Sequence, residues 1–240
     1  MDAKVTLAAL ARMKREGRKS VGVVAWDYQI ARIADRAGVD FVSVGDSVGV
    51  NLWGRADPLD VTVDEMLICC KAVRRGVARA LVSCDMPFGP VQHGSDSALA
   101  AAFRIAVFAQ FGLTPQTAAK HGIPYSAQNL PGAQISAAAA QKFVAEAKLL
   151  EAAGASLLDF TNSGPVAGSA VVEAVQIPVI GGFGGGPWLD GRVRLAHTAI
   201  GYGEKWLDTK TQTYANTAKA SFAAFTALIA DARAGRQIKG

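Results

Sequence analysis

The stretch Val42-Ser43-Val44-Gly45-Asp46-Ser47-Val48-Gly49, answered further on by Leu81-Val82-Ser83-Cys84-Asp85-Met86-Pro87, decides the fold. In each, a short apolar run ends in an aspartate and then breaks at glycine or proline. Strands buried on both faces of a parallel sheet read this way, so each run is expected to deliver a carboxylate to its C-terminal end. Two carboxylates delivered side by side can share one divalent cation. Mg2+ suits such a pair, because it takes hard oxygen ligands and fills the rest of its shell with waters or substrate oxygens. The blander reading is that each aspartate caps the turn that follows it. Their equivalent positions in consecutive units favour the metal.

Working outward, the same unit recurs. Residues 20–25 read as an apolar strand, Ile30, Ile33 and Ala34 recur at helical spacing, Gly38 stands where a helix closes, and 40–44 is the next strand. Thr62 with Glu65 three residues on is a capping box, opening a helix to about Gly76, and 80–84 is its strand. Further on, Ser136 can cap an alanine-rich helix that stops at Gly154, and 156–160 is a strand. A helix over 167–175 precedes a strand over 176–180; residues 193–198 and 211–234 read as helices. Leu7, Leu10, Ala11 and Met13 make a short amphipathic helix ending at Gly17, a lid or an N-terminal cap. Strand and helix alternate without a break in composition, so the expectation is one α/β domain over residues 1–240, a (β/α) TIM-type barrel with chemistry at the strand ends.

Composition limits the alternatives. The chain has 240 residues, 50% hydrophobic and 19% charged, enough for one sizeable core. Its net charge of +5 comes from scattered Lys and Arg with no nucleic-acid reading motif, so nucleic-acid binding is not expected. No apolar run approaches the length of a membrane span, and no leader is apparent; a soluble cytoplasmic protein with no membrane partner is the expectation. Cys69, Cys70 and Cys84 form neither a CxxC pair nor a cluster with histidine, and read as reduced core thiols.

Two further motifs carry less. Gly45-Asp46-Ser47-Val48-Gly49 satisfies G-x-S-x-G, with His197 as a candidate base. A nucleophilic serine of that type opens directly into a helix, whereas 51–58 reads as loop, and too few strands precede Ser47. The glycines at 181–186 can admit an anion to the backbone, yet Pro187 stands where G-x-G-x-x-G needs its last glycine, and a flexible loop is the simpler reading.

These residues carry a resemblance. Val44-Gly45-Asp46-Ser47-Val48-Gly49, Asp60-Val61-Thr62-Val63, Lys71-Ala72-Val73-Arg74-Arg75-Gly76 and Cys84-Asp85-Met86-Pro87-Phe88 resemble the ketopantoate hydroxymethyltransferase family of the pantothenate pathway. Gly112-Leu113-Thr114-Pro115-Gln116, Leu150-Glu151-Ala152-Ala153-Gly154-Ala155, Ile177-Pro178-Val179-Ile180-Gly181 and Asp190-Gly191 extend the likeness nearly end to end. The resemblance implies a barrel of the phosphoenolpyruvate mutase and isocitrate lyase superfamily, a homo-oligomer, and Mg2+ chelated together with a 2-oxo acid. It implies that Asp46 and Asp85 hold the metal and contact the substrate, and that Ser47 holds the substrate carboxylate. The implied reaction is hydroxymethyl transfer from 5,10-methylenetetrahydrofolate to 3-methyl-2-oxobutanoate, through an enolate stabilised by the metal.

The chain departs from that family in two places. Between the Asp-x-Pro-Phe and Gly-Leu-Thr-Pro-Gln motifs the family has a strand with a lysine and a glutamate; here only 89–111 is available, about one βα unit too short, and it holds neither residue. Its one candidate strand is Ile105-Ala106-Val107-Phe108, and Gln110 stands where the family has histidine. Thr161 falls where the family has its glutamate, and a threonine does not abstract a C3 proton unaided. Asp159, two residues earlier and on the same strand face, is the candidate replacement base. A divergent aldolase or lyase on another 2-oxo acid, or an inactive barrel serving as a scaffold, are the competing readings.

Overall fold

The computed structural model describes residues 3–109, 137–160, 163–181 and 186–239, excepting the side chains of 103–109 and 137–139. In chain order the elements are α1 Leu7–Arg15, β1 Ser20–Val24, α2 Tyr28–Ala37, β2 Phe41–Val44, α3 Val48–Asn51, α4 Val63–Gly76, β3 Leu81–Cys84, α5 Phe88–Gln92 and α6 Ser95–Ala109. Then follow α7 Ala137–Ala152, β4 Leu158–Asp159, α8 Gly164–Ala174, β5 Val179–Gly181, β6 Gly191–Leu195, α9 Ala196–Ala199 and α10 Thr217–Arg233. The chain divides into two compact units, Met1–Arg194 and Leu195–Gly240. Among the described residues no helix is long and apolar enough to cross a membrane.

Local signals account for most boundaries. Asp27 accepts from the Ile30 amide to start α2, and Gly38 ends it at φ 94°, a left-handed conformation that glycine adopts without strain. The Thr62–Glu65 capping box is made in both directions at the start of α4. Three expectations fail in whole or in part. Of residues 193–198, expected as helix, only 196–198 are helical, in α9; up to Leu195 the chain is strand, with Gly191, Val193 and Leu195 buried while Arg192 and Arg194 are exposed, the period of two that marks a strand. Ile105-Ala106-Val107-Phe108 lies inside α6 rather than in a strand, because so short an apolar run fits a helix equally well and the alanines before it continue the helical turn. The C-terminal helix begins at Thr217, where Asn216 caps it, and not at 211.

The six strands form one sheet in the order β3-β2-β1-β6-β5-β4. The registers found for β1 with β2, β2 with β3, β4 with β5 and β5 with β6 are all parallel. The sheet curls around Phe41, Ile180 and Val193, with Val24, Leu81 and Leu157 against them, so its inner core draws side chains from or beside every strand. Gly22 leaves the space that the Phe41 ring fills; a Cβ there would lie 2.2 Å from it. Burying an aliphatic or aromatic side chain of this kind contributes about 1.5–3 kcal/mol. Among the described residues the result is a curled parallel sheet, a half-barrel whose outermost strands are β3 and β4. Residues 110–136, which run between those strands in the chain, lie outside the described set.

The N-terminal end of the sheet is closed by α1, which settles the choice between lid and cap. Leu10 and Met13 are buried with Val5 against Leu81 and Leu157, where β3 and β4 begin. Lys14 pairs with Asp190 at 2.9 Å and donates to the carbonyls of Val172 (2.8 Å) and Ile177 (3.0 Å). The helix is a floor, at the end away from the aspartates.

A second fixture aligns β3. The buried Asp35 carboxylate, on α2, accepts from the amides of Ala80 (2.7 Å), Ala78 (2.9 Å) and Arg79 (3.1 Å). Burial alone would raise its pKa, but those amides and the Arg79 guanidinium together hold it below the usual aspartate range. Asp35→Ala strands the three donors, and urea unfolding at pH 7 should register a loss of about 2–3 kcal/mol. A depressed pKa stabilises the fold above the unfolded-state value and loses that contribution as pH falls through the folded one. The deficit of the variant should therefore hold steady from about pH 5 to 8 and shrink in acid.

Candidate active site

The strand ends place the acidic residues. With β2 and β3 paired from Phe41↔Leu81 to Val44↔Cys84, the chain delivers Asp46 and Asp85 just beyond adjacent ends, and the Asp85 amide donates to the Val44 carbonyl at 2.9 Å. The Asp46 amide and the Ser43 hydroxyl both donate to the Asp85 carboxylate. Gly45 makes the close approach possible: a Cβ there would lie 2.9 Å from Val24, 3.0 Å from the Ser47 Oγ and 3.4 Å from Asp85 Oδ2. The buried Trp26 at the end of β1 donates its indole N–H to the Gly45 carbonyl at 2.8 Å, fixing the turn from below.

Charge follows from that geometry. Burial, then the charges of Asp46 and Asp159, push the Asp85 carboxyl up to about 7, against the two hydrogen bonds that favour its ionised form. Asp46 is raised as well, by burial, with the Ser47 amide opposing. Asp159, on β4, thus adds its charge to the same cluster across the space between the two edge strands. Like charges gathered at strand ends are costly unless a cation or a proton balances them.

Of the residues named from the sequence, the structure brings Asp46, Asp85 and Ser47 together and sets Asp159 within reach of their field. Thr161, Gln110 and Gly182 to Gly185 lie outside the described residues. Among the described residues no group of three or more His, Cys, Asp or Glu is close enough to hold a metal ion. Asp46 and Asp85 are the two hard oxygen donors here that could hold a cation, which would offset the burial that raises both carboxyls and the repulsion that adds to it at Asp85. Mg2+ fits that pair, since it is ordinarily held by one or two carboxylates and completes its shell elsewhere. After Ser47 the chain makes only the single turn of α3, without a side-chain cap, unlike the helix a serine nucleophile would open.

Sequence reasoning missed Ser43 and Trp26. A polar residue inside the apolar Val42-Ser43-Val44 run was the available signal for the first; nothing in the sequence marks the second. The cysteines behave as expected. All three are unbridged, burial pushes the Cys69 thiol up to about 11, and a hydrogen bond with Cys70, followed by burial, raises Cys84. Such thiols are poor nucleophiles.

Fold and site together define a parallel α/β enzyme with its acidic centre at the strand ends. A model of the family described as ketopantoate hydroxymethyltransferase matches residues 4–106 and 101–237, and the chain belongs to that family. It is thereby a ketopantoate hydroxymethyltransferase-like transferase. The 3-methyl-2-oxobutanoate hydroxymethyltransferase of Cytophaga hutchinsonii is 32% identical over 259 residues, covering 96% of this chain and 93% of its own. That of Cyanothece sp. is 33% identical over 231 residues, covering 84% and 86%. Among solved structures, a putative phosphonomutase from Burkholderia cenocepacia aligns with TM-score 0.55 at 17% identity, covering 80% of this chain and 92% of that one. A phosphonopyruvate hydrolase in complex with oxalate and Mg++ aligns with TM-score 0.53 at 12% identity, covering 96% and 88%.

The shortfall seen in the sequence recurs in these alignments. The Cytophaga match runs over 259 residues but takes in 96% of a 240-residue chain, so about 30 positions have no counterpart here, close to one βα unit of a barrel. The two stretches matched by the family model meet at residues 101–106, within the interval 89–111.

Proposed function

We propose that the protein transfers a hydroxymethyl group to 3-methyl-2-oxobutanoate, with 5,10-methylenetetrahydrofolate as the one-carbon donor and Mg2+ as cofactor, in a homo-oligomer. The observation that carries this reading is the placement of Asp46 and Asp85 just beyond adjacent strand ends, with Asp85 raised by burial first and then by the charges of Asp46 and Asp159. Asp46 and Asp85 would hold the cation, whose charge favours loss of the C3 proton from a chelated 2-oxo acid. Ser47, with its hydroxyl beside the pair, receives the substrate carboxylate. Asp159 takes the C3 proton, leaving the electron pair on C3 to form the new bond to the methylene carbon, while both C–N bonds from that carbon to the folate break, water supplies the hydroxyl oxygen, and the C3 proton with those of water ends on the two folate nitrogens and the new hydroxyl as tetrahydrofolate leaves. Ser43 and the Asp46 amide hold the Asp85 carboxylate at a fixed angle throughout, so the reaction begins from a placed ligand rather than a mobile one.

The missing 30 positions favour a second reading, a related reaction on a different 2-oxo acid. One experiment separates the two. Proton NMR of 3-methyl-2-oxobutanoate in D₂O, with protein and Mg2+ but no folate, should show the C3 proton signal disappearing; Asp46→Ala should stop it. Retained signal, with Mg2+ bound by calorimetry, would sink this substrate and direct a screen of other 2-oxo acids.

A further inference from the structure

We propose that Arg55 is a positioning residue for the Asp46 turn, acting through the backbone of Gly49, and that Glu65 fixes Arg55 in that role. The proposal rests on the reading of Asp46 as a metal ligand. The loop from Gly49 to Thr62 folds around the Arg55 side chain. Its guanidinium forks onto Glu65 of α4, Nη2 to Oε1 at 2.5 Å and Nη1 to Oε2 at 3.3 Å, and Nη1 donates also to the Asp60 carbonyl at 2.9 Å. The Trp53 ring covers it, 5.1 Å from centroid to guanidinium carbon.

The Arg55 backbone links to the Asp46 turn through Gly49. Its amide donates to the Gly49 carbonyl at 2.9 Å, the Gly49 amide donates to the Asp46 carbonyl at 3.1 Å, and the Asp46 amide donates to the Asp85 carboxylate. Glu65, Arg55, Gly49, Asp46 and Asp85 thus form one unbroken hydrogen-bonded path from a rigid helix to the paired carboxylates. Gly49 is held from the side as well, since a Cβ there would lie 2.7 Å from Val61 and 3.5 Å from Arg55 Cδ. An exposed ion pair on its own contributes little, but a two-pronged fork that also binds a carbonyl and stacks on an indole fixes orientation. The pair is about one-third exposed, 32% for Arg55 and 29% for Glu65.

Glu65→Gln tests this cleanly. Glutamine still completes the capping box with Thr62, so α4 keeps its start while the charged fork is lost. Amide exchange is read in the metal-free full-length protein, and Mg2+ alone is titrated by calorimetry. Glu65→Gln and Arg55→Met should each speed exchange of the Gly49 amide by about tenfold at an unchanged unfolding midpoint, with Arg55→Lys between them and wild type. Mg2+ affinity should fall by about tenfold in step, the low end of the 10–100-fold loss typical when a group that orients a metal ligand is changed. Unchanged Gly49 exchange in both variants overturns the proposal, as does faster exchange with Mg2+ affinity intact. A wild-type protein that binds no Mg2+ removes instead the metal reading of Asp46, and the exchange result then decides alone whether Arg55 holds the turn.

Discussion

Asp85→Asn is expected to remove Mg2+ binding while leaving the protein as stable as before, or more so. The asparagine keeps the shape, and its one carbonyl oxygen accepts from the Asp46 amide while the Ser43 hydroxyl, which can also accept, turns to meet the new NH2 group. It takes away the charge that Asp46 and Asp159 repel. Loss of a direct ligand should weaken Mg2+ by more than about 100-fold, beyond the 10–100-fold typical of changes in the surrounding shell. Removing the repulsion should leave the melting temperature equal or a few degrees higher, about 2–4 °C for each kcal/mol in a chain of this size. Asp46→Ala should lose the metal likewise. Calorimetry with Mg2+ and a thermal melt check both halves; native affinity in either variant would remove the site.

Asp159→Asn should have the second large effect, on rate rather than on binding. If its carboxylate takes the C3 proton, exchange of that proton into D₂O should slow by about 10²–10⁴-fold while Mg2+ affinity stays within a few-fold of wild type. Thr161→Ala should alter the exchange rate little, because a hydroxyl is no base at neutral pH. The reverse pattern, with Thr161 essential and Asp159 dispensable, would reassign the base.

Much of this site could be read in the sequence because its signals are local. An apolar run, an aspartate and a glycine or proline say where a parallel strand ends, and Asp46 and Asp85 stand where that pattern puts them. Thr62 with Glu65 and the closing Gly38 are likewise short-range rules that the structure obeys. What escaped was either ambiguous in period or long in range. Ile105 to Phe108 is too short for periodicity to choose between helix and strand, and the alternation of Gly191 to Leu195 is obscured by the small residues around it. The hydrogen bond from Ser43 to Asp85, the Trp26 strut under Gly45, and the action of the Asp159 charge on Asp85 across the sheet exist only once the sheet has curled. Arg55 belongs with these, since its partners lie on both sides of a loop that the sequence marks only as irregular.

The floor helix has a consequence for how such a chain tolerates being shortened. Leu10 and Met13 touch the starts of both edge strands, at Leu81 and Leu157, while Lys14 is tied to the β5–β6 connection through Asp190. It works as a hoop does on a cask, gripping the ends of the staves rather than any joint between them. The curve is thus held from below, at the starts of the outermost described strands and at the β5–β6 connection, whatever the length of the wall beside the chemistry.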